Sequence, residues 1–420
     1  MSDKEILRQI VFQQKNASFP MEETVKREIL DEILNWFKDN RIIILTGIRR
    51  SGKSTLLRQI MQNKTDCCYV NFEDERFIGF NAQNFEQLNE VLIEIYGNPK
   101  IYFFDEIQNV EKFETFVRRL QDQGKKIIIT GSNASLLSKE LGTRLTGRYK
   151  SFEVYPFSFV EYLNFKKIKP EKEWFYVAEK KVKLIKLFEE YLSDGGLPEY
   201  LKNKDNDYVK TIYENILYRD IIARYSIRRQ KLIKELVNIL TTNVSSLFTY
   251  NSLKKHLGLA NSITVKEYIS YLSNSYLFFE LQKFDFSVRR QLNSPKKIYL
   301  IDTVFNRIIG LNFSADRGRI LENVVFIELK RRNKEVYYYS DKNECDFLVK
   351  DGAKISGAVQ VCCTLNETNR EREVDGLLDA MDKFKLKEGL ILTLEQEENI
   401  KLKGKKIKAL PVWKWMLGGG

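Results

Sequence analysis

Apolar residues gather first in short unbroken runs and later at helical spacing. The runs Arg41-Ile-Ile-Ile-Leu-Thr46, Cys67-Cys-Tyr-Val-Asn-Phe72, Lys100-Ile-Tyr-Phe-Phe104 and Lys126-Ile-Ile-Ile-Thr130 predict four buried strands. Helical spacing over 23–37, 85–96 and 113–121 predicts helices before and between them. Strands alternating with helices are the rhythm of a parallel sheet covered by helices. From about 166 to 230 the pattern turns helical, with periodic segments over 181–192 and 208–225 separated by the breaker Asp194-Gly-Gly-Leu-Pro198.

Three shorter helices are predicted next, over 232–240, 250–257 and 264–274. Thr264 with Glu267 predicts a capping box, and Val265, Tyr268, Ile269 and Leu272 share one buried face. Runs at 277–281 and 297–301 predict a hairpin whose tip carries Lys283, Arg289, Arg290, Lys296 and Lys297. Three helices and a hairpin outline a winged helix. The remainder predicts a second α/β unit: a helix over 318–332, strands at 335–339, 346–349 and 358–362, a helix over 372–384 and a strand at 389–394. The expected division is therefore an α/β parallel-sheet domain over 1–165, a helical lid-like region over 166–230, a winged helix over 231–312 and a C-terminal α/β domain over 313–420.

The strongest chemical signal lies where the first strand meets its helix. Gly47-Ile-Arg-Arg-Ser-Gly-Lys-Ser54 has the spacing G-x-x-x-x-G-K-[ST] of a P-loop, which aims backbone N–H groups and a helix N-terminus at a phosphate chain. Gly47, Ile48, Arg49, Arg50, Ser51, Gly52, Lys53, Ser54 and Thr55 form the expected nucleotide cradle. Lys53 reaches the terminal phosphates, and the Ser54 hydroxyl suits Mg²⁺. Ile101-Tyr-Phe-Phe-Asp-Glu-Ile107 ends a strand in two carboxylates. Asp105 is the second expected Mg²⁺ ligand and Glu106 the expected polariser of the attacking water. Thr130-Gly-Ser-Asn133 places Asn133 at the next strand end, where it can orient that water. Gly142-Thr-Arg-Leu-Thr-Gly-Arg148 offers Arg144 or Arg148 as an arginine finger, in its own subunit or a neighbour's.

A strand-end Asp-Glu, a strand-end Asn and a late arginine together resemble AAA+ ATPases. Tyr155-Pro-Phe-Ser-Phe-Val-Glu-Tyr162, Gly195-Gly-Leu-Pro-Glu199 and Tyr218-Arg-Asp-Ile221 are similar to signatures of one prokaryotic, archaeal-type AAA+ family. Over nearly the whole chain that resemblance implies a helical region, a winged helix and a C-terminal domain of unknown role. It implies ATP binding and hydrolysis, with ATP and Mg²⁺ as cofactors. The C-terminal unit resembles restriction-endonuclease-like domains of the PD-(D/E)xK type. There Glu322 would be the helix acid, Asp346 the strand acid and Gln360 the third position, while Cys362 stands where the pattern has lysine. A thiol brings no positive charge to a transition state.

Composition narrows the remainder. The chain has 420 residues, which at roughly 150 per domain suggests about three domains. It is 43% hydrophobic and 30% charged, in keeping with folded cores. No apolar run approaches the roughly 18 residues of a membrane-spanning helix. The charged start without a signal core and the odd count of five cysteines predict a cytoplasmic protein without a membrane partner. A single histidine, His256, leaves no room for histidine triads or histidine-rich metal centres. The net charge of +12 permits DNA as a partner through the winged helix and basic hairpin, although the third helix offers mainly Lys266, Ser270 and Ser273 for reading bases. A protein partner or a homo-oligomer is the other expectation. Three functions stay open: a nucleotide-driven ATPase switch, an ATP-gated nuclease, and a module that binds ATP, DNA or protein without turnover.

Overall fold

The computed structural model describes residues 3–17, 24–62, 64–133, 147–311 and 316–419. They divide into two compact units, one formed by 1–155 with 274–276 and the other by 156–273 with 277–420.

The first unit is built on five parallel strands: β1 (Ile42–Thr46), β2 (Cys67–Asn71), β3 (Ile101–Asp105), β4 (Lys126–Gly131) and β5 (Tyr149–Glu153). Their order is β2-β3-β4-β1-β5. Side chains alternate along each strand, so β1 serves two cores at once. Ile43 and Leu45 pack with Leu56, Leu57 and Ile60 of the helix Lys53–Met61. Ile42 and Ile44 face the opposite layer with Leu88, Leu92, Phe104 and Val117. Burial on both faces explains why these strands read as unbroken apolar runs. Each fully buried Ile or Leu contributes about 1.5–3 kcal/mol.

Two helices depart from expectation here. An amphipathic helix at Asp3–Asn16 buries Leu7, Ile10 and Val11 in the second layer. The helix expected over 23–37 is confined, among the described residues, to Leu30–Asn35 with a tighter turn at Trp36–Lys38.

The second unit begins with helical structure. The helix Ala178–Asp194 buries Leu184, Leu187, Phe188, Tyr191 and Leu192, and the helix Asn206–Asn215 runs into a wider π-type turn at Ile216–Ala223. Helices Gln230–Thr242, Tyr250–His256 and Ser262–Asn274 follow, with β6 (Leu247–Phe248), β7 (Phe278–Gln282) and β8 (Lys296–Leu300) forming an antiparallel sheet in the order β6-β8-β7. Val265, Tyr268, Ile269 and Leu272 are buried together on one helix face. That helix starts before the expected capping box. Asn261 Oδ1 accepts from the Ile263 N–H at 2.9 Å, which leaves Thr264 inside the first turn.

A mixed sheet closes the chain, with strands β9 (Glu335–Ser340), β10 (Glu344–Asp351), β11 (Lys354–Val361), β12 (Glu388–Thr393), β13 (Glu398–Leu402) and β14 (Lys405–Pro411). Its order is β13-β14-β12-β11-β10-β9, parallel across β11, β12 and β14 and antiparallel elsewhere. The helix Arg370–Lys383 covers one face through Val374, Leu377, Leu378 and Met381. No helix among the described residues is long and apolar enough to cross a membrane.

Candidate functional site

Parallel register brings the ends of β1, β3 and β4 to one edge of the first sheet, with Leu45 beside Thr130 and Thr46 beside Gly131. The chain leaves β1 through Gly47, whose φ of +147° suits glycine. The Val154 N–H donates to the Thr46 carbonyl at 2.6 Å, so the chain after β5 runs close alongside. A Cβ on Gly47 would lie 2.2 Å from the Val154 carbonyl oxygen. Arg50 and Gly52 also take positive φ, 67° and 95°, and Ser51 N–H closes the loop onto the Ile48 carbonyl at 3.2 Å. The helix then starts at Lys53 without a side-chain cap, leaving its first N–H groups to face the loop.

Lys53 is 4% exposed and bends back over this loop, donating to the carbonyls of Gly47 and Ile48 at 3.2 Å each. Its ammonium lies 3.5 Å from Glu106 Oε1. The Ser51 hydroxyl is buried with no hydrogen-bond partner among the described residues. Such an orphaned group is costly unless something binds there, and it fits a phosphate-lined cradle. A residue the motif did not announce holds the loop from below. Buried Arg27 donates to the Ser51 carbonyl at 2.9 Å and to the Tyr155 carbonyl at 2.6 Å. Tyr276, in the short segment that belongs to this unit, donates its hydroxyl to Thr46 Oγ1 at 2.8 Å.

Asp105 closes β3, buried beside Lys53's helix. Its Oδ1 accepts from the Thr130 hydroxyl and its Oδ2 from the Tyr69 hydroxyl, the latter at 3.1 Å. Burial pushes its carboxyl above the usual range, with the Glu106 charge adding to it, against hydrogen bonds from Thr130, Ser54 and Tyr69. A cation held between Ser54 and Asp105 would relieve that cost. Glu106 leaves the strand in the left-handed region, φ 51° and ψ 41°. Its N–H donates to Thr130 Oγ1 at 2.9 Å, so one hydroxyl fixes both acids. Burial works against the Glu106 charge, but Lys53, Gln108 and Arg49 outweigh it and hold its carboxyl below the usual range. It is therefore an anion at neutral pH, able to accept a proton. Asn133 is buried just past β4, at the same sheet edge.

The two finger candidates fall differently. Arg148 precedes β5, and its carbonyl accepts from the Ile42 N–H at 2.9 Å, at the start of β1. That is the sheet edge opposite Lys53. Its guanidinium pairs with Asp122 on the surface, so Arg148 does not face the phosphate loop of its own chain. Arg144 lies outside the described residues.

The second constellation lies in the second unit. Glu322 sits on the helix Arg317–Arg331 and points inward, as its spacing with Val325, Phe326 and Leu329 predicts. Tyr299 donates to its Oε1 at 2.6 Å. Asp346 Oδ2 accepts from the Val361 N–H at 2.9 Å. Gln360 is turned away from any shared centre: its Oε1 accepts from the Asp346 N–H at 3.2 Å and its Nε2 donates to Glu373 at 2.7 Å. Burial, with Glu373 and Asp346 nearby, pushes the Cys362 thiol up to about 12, so it stays neutral.

The cation here comes from outside the expected motif. Lys297 is 3% exposed, with its ammonium 2.9 Å from Asp346 Oδ1, 3.0 Å from Glu322 Oε1 and 2.7 Å from Glu344 Oε1. Burial opposes its charge, and Asp346 and Glu322 more than restore it. The hairpin expectation is corrected accordingly. Lys296 donates to the carbonyls of Leu292 and Ser294, Lys297 is buried among acids, and Arg290 pairs with Asp285. The hairpin of β7 and β8 therefore offers fewer cations to a phosphate than the sequence promised. Among the described residues no group of three or more His, Cys, Asp or Glu side chains could hold a metal ion. His256 sits at a helix end, its Nδ1 2.8 Å from the Ser252 carbonyl.

Residues 39–163 match the AAA domain family. Residues 185–313 match a domain of unknown function (DUF8612), and residues 317–415 match another (DUF4143). The chain is 37% identical to an uncharacterized protein of Methanocaldococcus jannaschii, over 99% of this chain and 96% of the relative. It is 31% identical to an uncharacterized protein of Haemophilus influenzae, over 94% of this chain and 98% of that one. A solved Walker-type ATPase of Pyrococcus abyssi is similar at 18% identity and a TM-score of 0.43, covering 69% of this chain and 96% of that one.

Proposed function

From the premise that the chain belongs to the family of these archaeal and bacterial relatives and carries an AAA domain, we propose that it binds ATP with Mg²⁺ and hydrolyses it as a nucleotide-driven switch. The observation that carries this reading is the Glu106 carboxylate, held 3.5 Å from the Lys53 ammonium where β1, β3 and β4 end together. The backbone N–H groups of 47–55 cradle the phosphates, and Lys53 leaves its two carbonyls to pair with the terminal oxygens. Ser54 and Asp105 would hold Mg²⁺, which supplies charge against the phosphate oxygens. Glu106 accepts the proton of the attacking water while Asn133 orients that water. The new bond runs from water oxygen to the γ-phosphorus, and the bond to the β–γ bridging oxygen breaks, leaving ADP and phosphate. An arginine from a neighbouring copy, Arg144 or Arg148, would complete the site in an oligomer.

The finer division into 1–165, 166–230, 231–312 and 313–420 belongs to the same proposal. Three helices with an antiparallel three-stranded sheet support a winged helix. Helix-borne Glu322 beside strand-borne Asp346 supports a restriction-endonuclease-like last domain. Free thiols at all five cysteines suit a reducing compartment.

Phosphate release and nucleotide binding test the reading together. Lys53→Ala should lose ATP binding, and Glu106→Gln should bind ATP but release no phosphate. Undiminished turnover in both variants would sink the hydrolysis reading. ATP binding by the unaltered protein without turnover would leave the binding-module alternative. Turnover measured with and without duplex DNA at several salt concentrations tests the DNA partner, since a phosphate contact fades with salt.

A further inference from the structure

On β8, Lys297 and Tyr299 share one strand face, and that face meets Glu322 and the start of β10. An ammonium has three N–H donors and no acceptor. Lys297 finds three carboxylate oxygens, from Glu322, Glu344 and Asp346, at 2.7–3.0 Å. These are hydrogen-bond lengths. A divalent ion in the same place would need oxygens at about 2.0–2.6 Å with lone pairs facing a common point. Here Nζ occupies that point. The other groups of the expected metal centre are spent as well: Asp346 Oδ2 on a backbone N–H, Gln360 on Asp346 N–H and Glu373. Glu322 and Asp346 are also nearly sealed, at 9% and 6% exposure, and only the Glu344 side chain, 39% exposed, reaches solvent.

We propose that Lys297 is a tethered cation standing in the place of a divalent metal, so that the Glu322–Glu344–Asp346 cluster is a metal-free ionic clasp fastening β8 to the C-terminal sheet. The acids of the nuclease-like pattern are then kept for a structural reason. Asp346 and Glu344 supply counter-charge to a buried lysine, which cannot stay charged in the interior without it. Glu322, whose carboxyl burial and the Asp346 charge push up to about 8, completes the hydrogen-bonding shell. Cys362 needs no lysine in its place, because the site already holds one from another element. This proposal does not rest on the nucleotide reading.

Nucleotide-free protein is titrated with Mn²⁺, following free Mn²⁺ by electron paramagnetic resonance and stability by thermal melting. The unaltered protein and Asp346→Asn should bind the same amount of Mn²⁺. Lys297→Ala should melt lower, gain one Mn²⁺ site and recover its melting temperature as Mn²⁺ is added. Lys297→Ala with Asp346→Asn should gain no such site. A Mn²⁺ ion held by the unaltered protein and lost in Asp346→Asn would overturn the proposal. So would Mn²⁺-dependent cleavage of plasmid DNA that Asp346→Asn abolishes. A folded Lys297→Ala that binds no Mn²⁺ also overturns it. If Lys297→Ala does not fold, the comparison of the unaltered protein with Asp346→Asn decides alone.

Discussion

Oδ2 of Asp302 accepts a hydrogen bond from the Gly196 N–H at 2.7 Å, joining positions 106 residues apart in sequence. Its Oδ1 accepts from the Val304 N–H at 3.0 Å and so caps the helix Thr303–Ile309. The pair explains two consecutive glycines in the Gly195-Gly-Leu-Pro-Glu199 motif. Gly195 has φ +68°, and a Cβ there would lie 1.6 Å from Asp302 Oδ1. A Cβ on Gly196 would lie 2.3 Å from the Phe157 carbonyl oxygen.

Gly195→Ala and Gly196→Ala should each destabilise the second unit by about 3 kcal/mol, as overpacking does. The two differ in what relieves them. Gly195 clashes with a side chain, so combining it with Asp302→Ala should cost less than the sum of the two single changes. Gly196 clashes with the Phe157 backbone and only shares a hydrogen bond with Asp302, so its relief in the pair should be the smaller of the two. Urea melts of the three single variants and the two pairs measure this, and equal additivity in both pairs would refute the steric account.

Asp302 should also give the second unit a pH dependence. Burial raises its carboxyl to about 6, against the hydrogen bonds from Val304 and Gly196. The unfolded chain loses this proton near the ordinary value of about 3.9. Between the two values the folded state binds more protons, so stability falls as pH rises from about 4 to about 6 and levels off above. The loss is about 3 kcal/mol for two pK units. Asp302→Asn should remove that slope. The melting temperature of the unaltered protein minus that of Asp302→Asn should fall across this window and stay flat above pH 7.

Much of the first sheet was legible because a strand buried on both faces writes itself as an unbroken apolar run. Tyr149–Glu153 escaped because β5 is an edge strand, where Lys150 and Ser151 are tolerated half-buried. The start of the third short helix was misplaced because two polar residues, Asn261 and Thr264, could each cap it, and local spacing does not choose between them. The phosphate loop and Asp105-Glu106 are contiguous motifs, so their chemistry was readable. Arg27 and Lys297 were not, because each acts on groups 24 to 128 residues away. Their roles come from packing, and an arginine or lysine in sequence looks the same whether it is a solvated charge or a buried clamp.

Thr130 and Arg27 should separate in kinetics. Thr130→Val keeps shape but frees both Asp105 and Glu106 from the shared hydroxyl. Its kcat for ATP should fall by about 10–100-fold, since small misplacements near reacting groups cost that much, with KM little changed. Arg27→Ala releases the Ser51 carbonyl and loosens the cradle, so KM should rise with a smaller change in kcat. Arg27→Lys should not rescue it, because an ammonium lacks the planar fork that reaches both the Ser51 and Tyr155 carbonyls. Steady-state ATPase assays over a range of ATP concentrations check the split. A fall in kcat alone for Arg27→Ala would place it among the reacting groups instead.

Cys362→Lys restores the residue that the PD-(D/E)xK pattern expects, and it should not restore a nuclease. Cys362 is 6% exposed and close to Asp346 and Glu373. The Asp346 carboxylate is already spent on Lys297 and the Val361 N–H, and Glu373 on Gln360 and Arg372. A second buried ammonium would arrive with its counter-charges taken, and an uncompensated buried charge costs about 3–5 kcal/mol. The variant should melt lower than the unaltered protein and show no Mg²⁺- or Mn²⁺-dependent cleavage of plasmid DNA. Pairing it with Lys297→Met should recover part of the lost stability, because the new lysine then has Asp346 to itself. Recovery would show that one cation is what this cluster is built to hold. Additive destabilisation of the two changes would show instead that the position of the charge, at β8, is what matters.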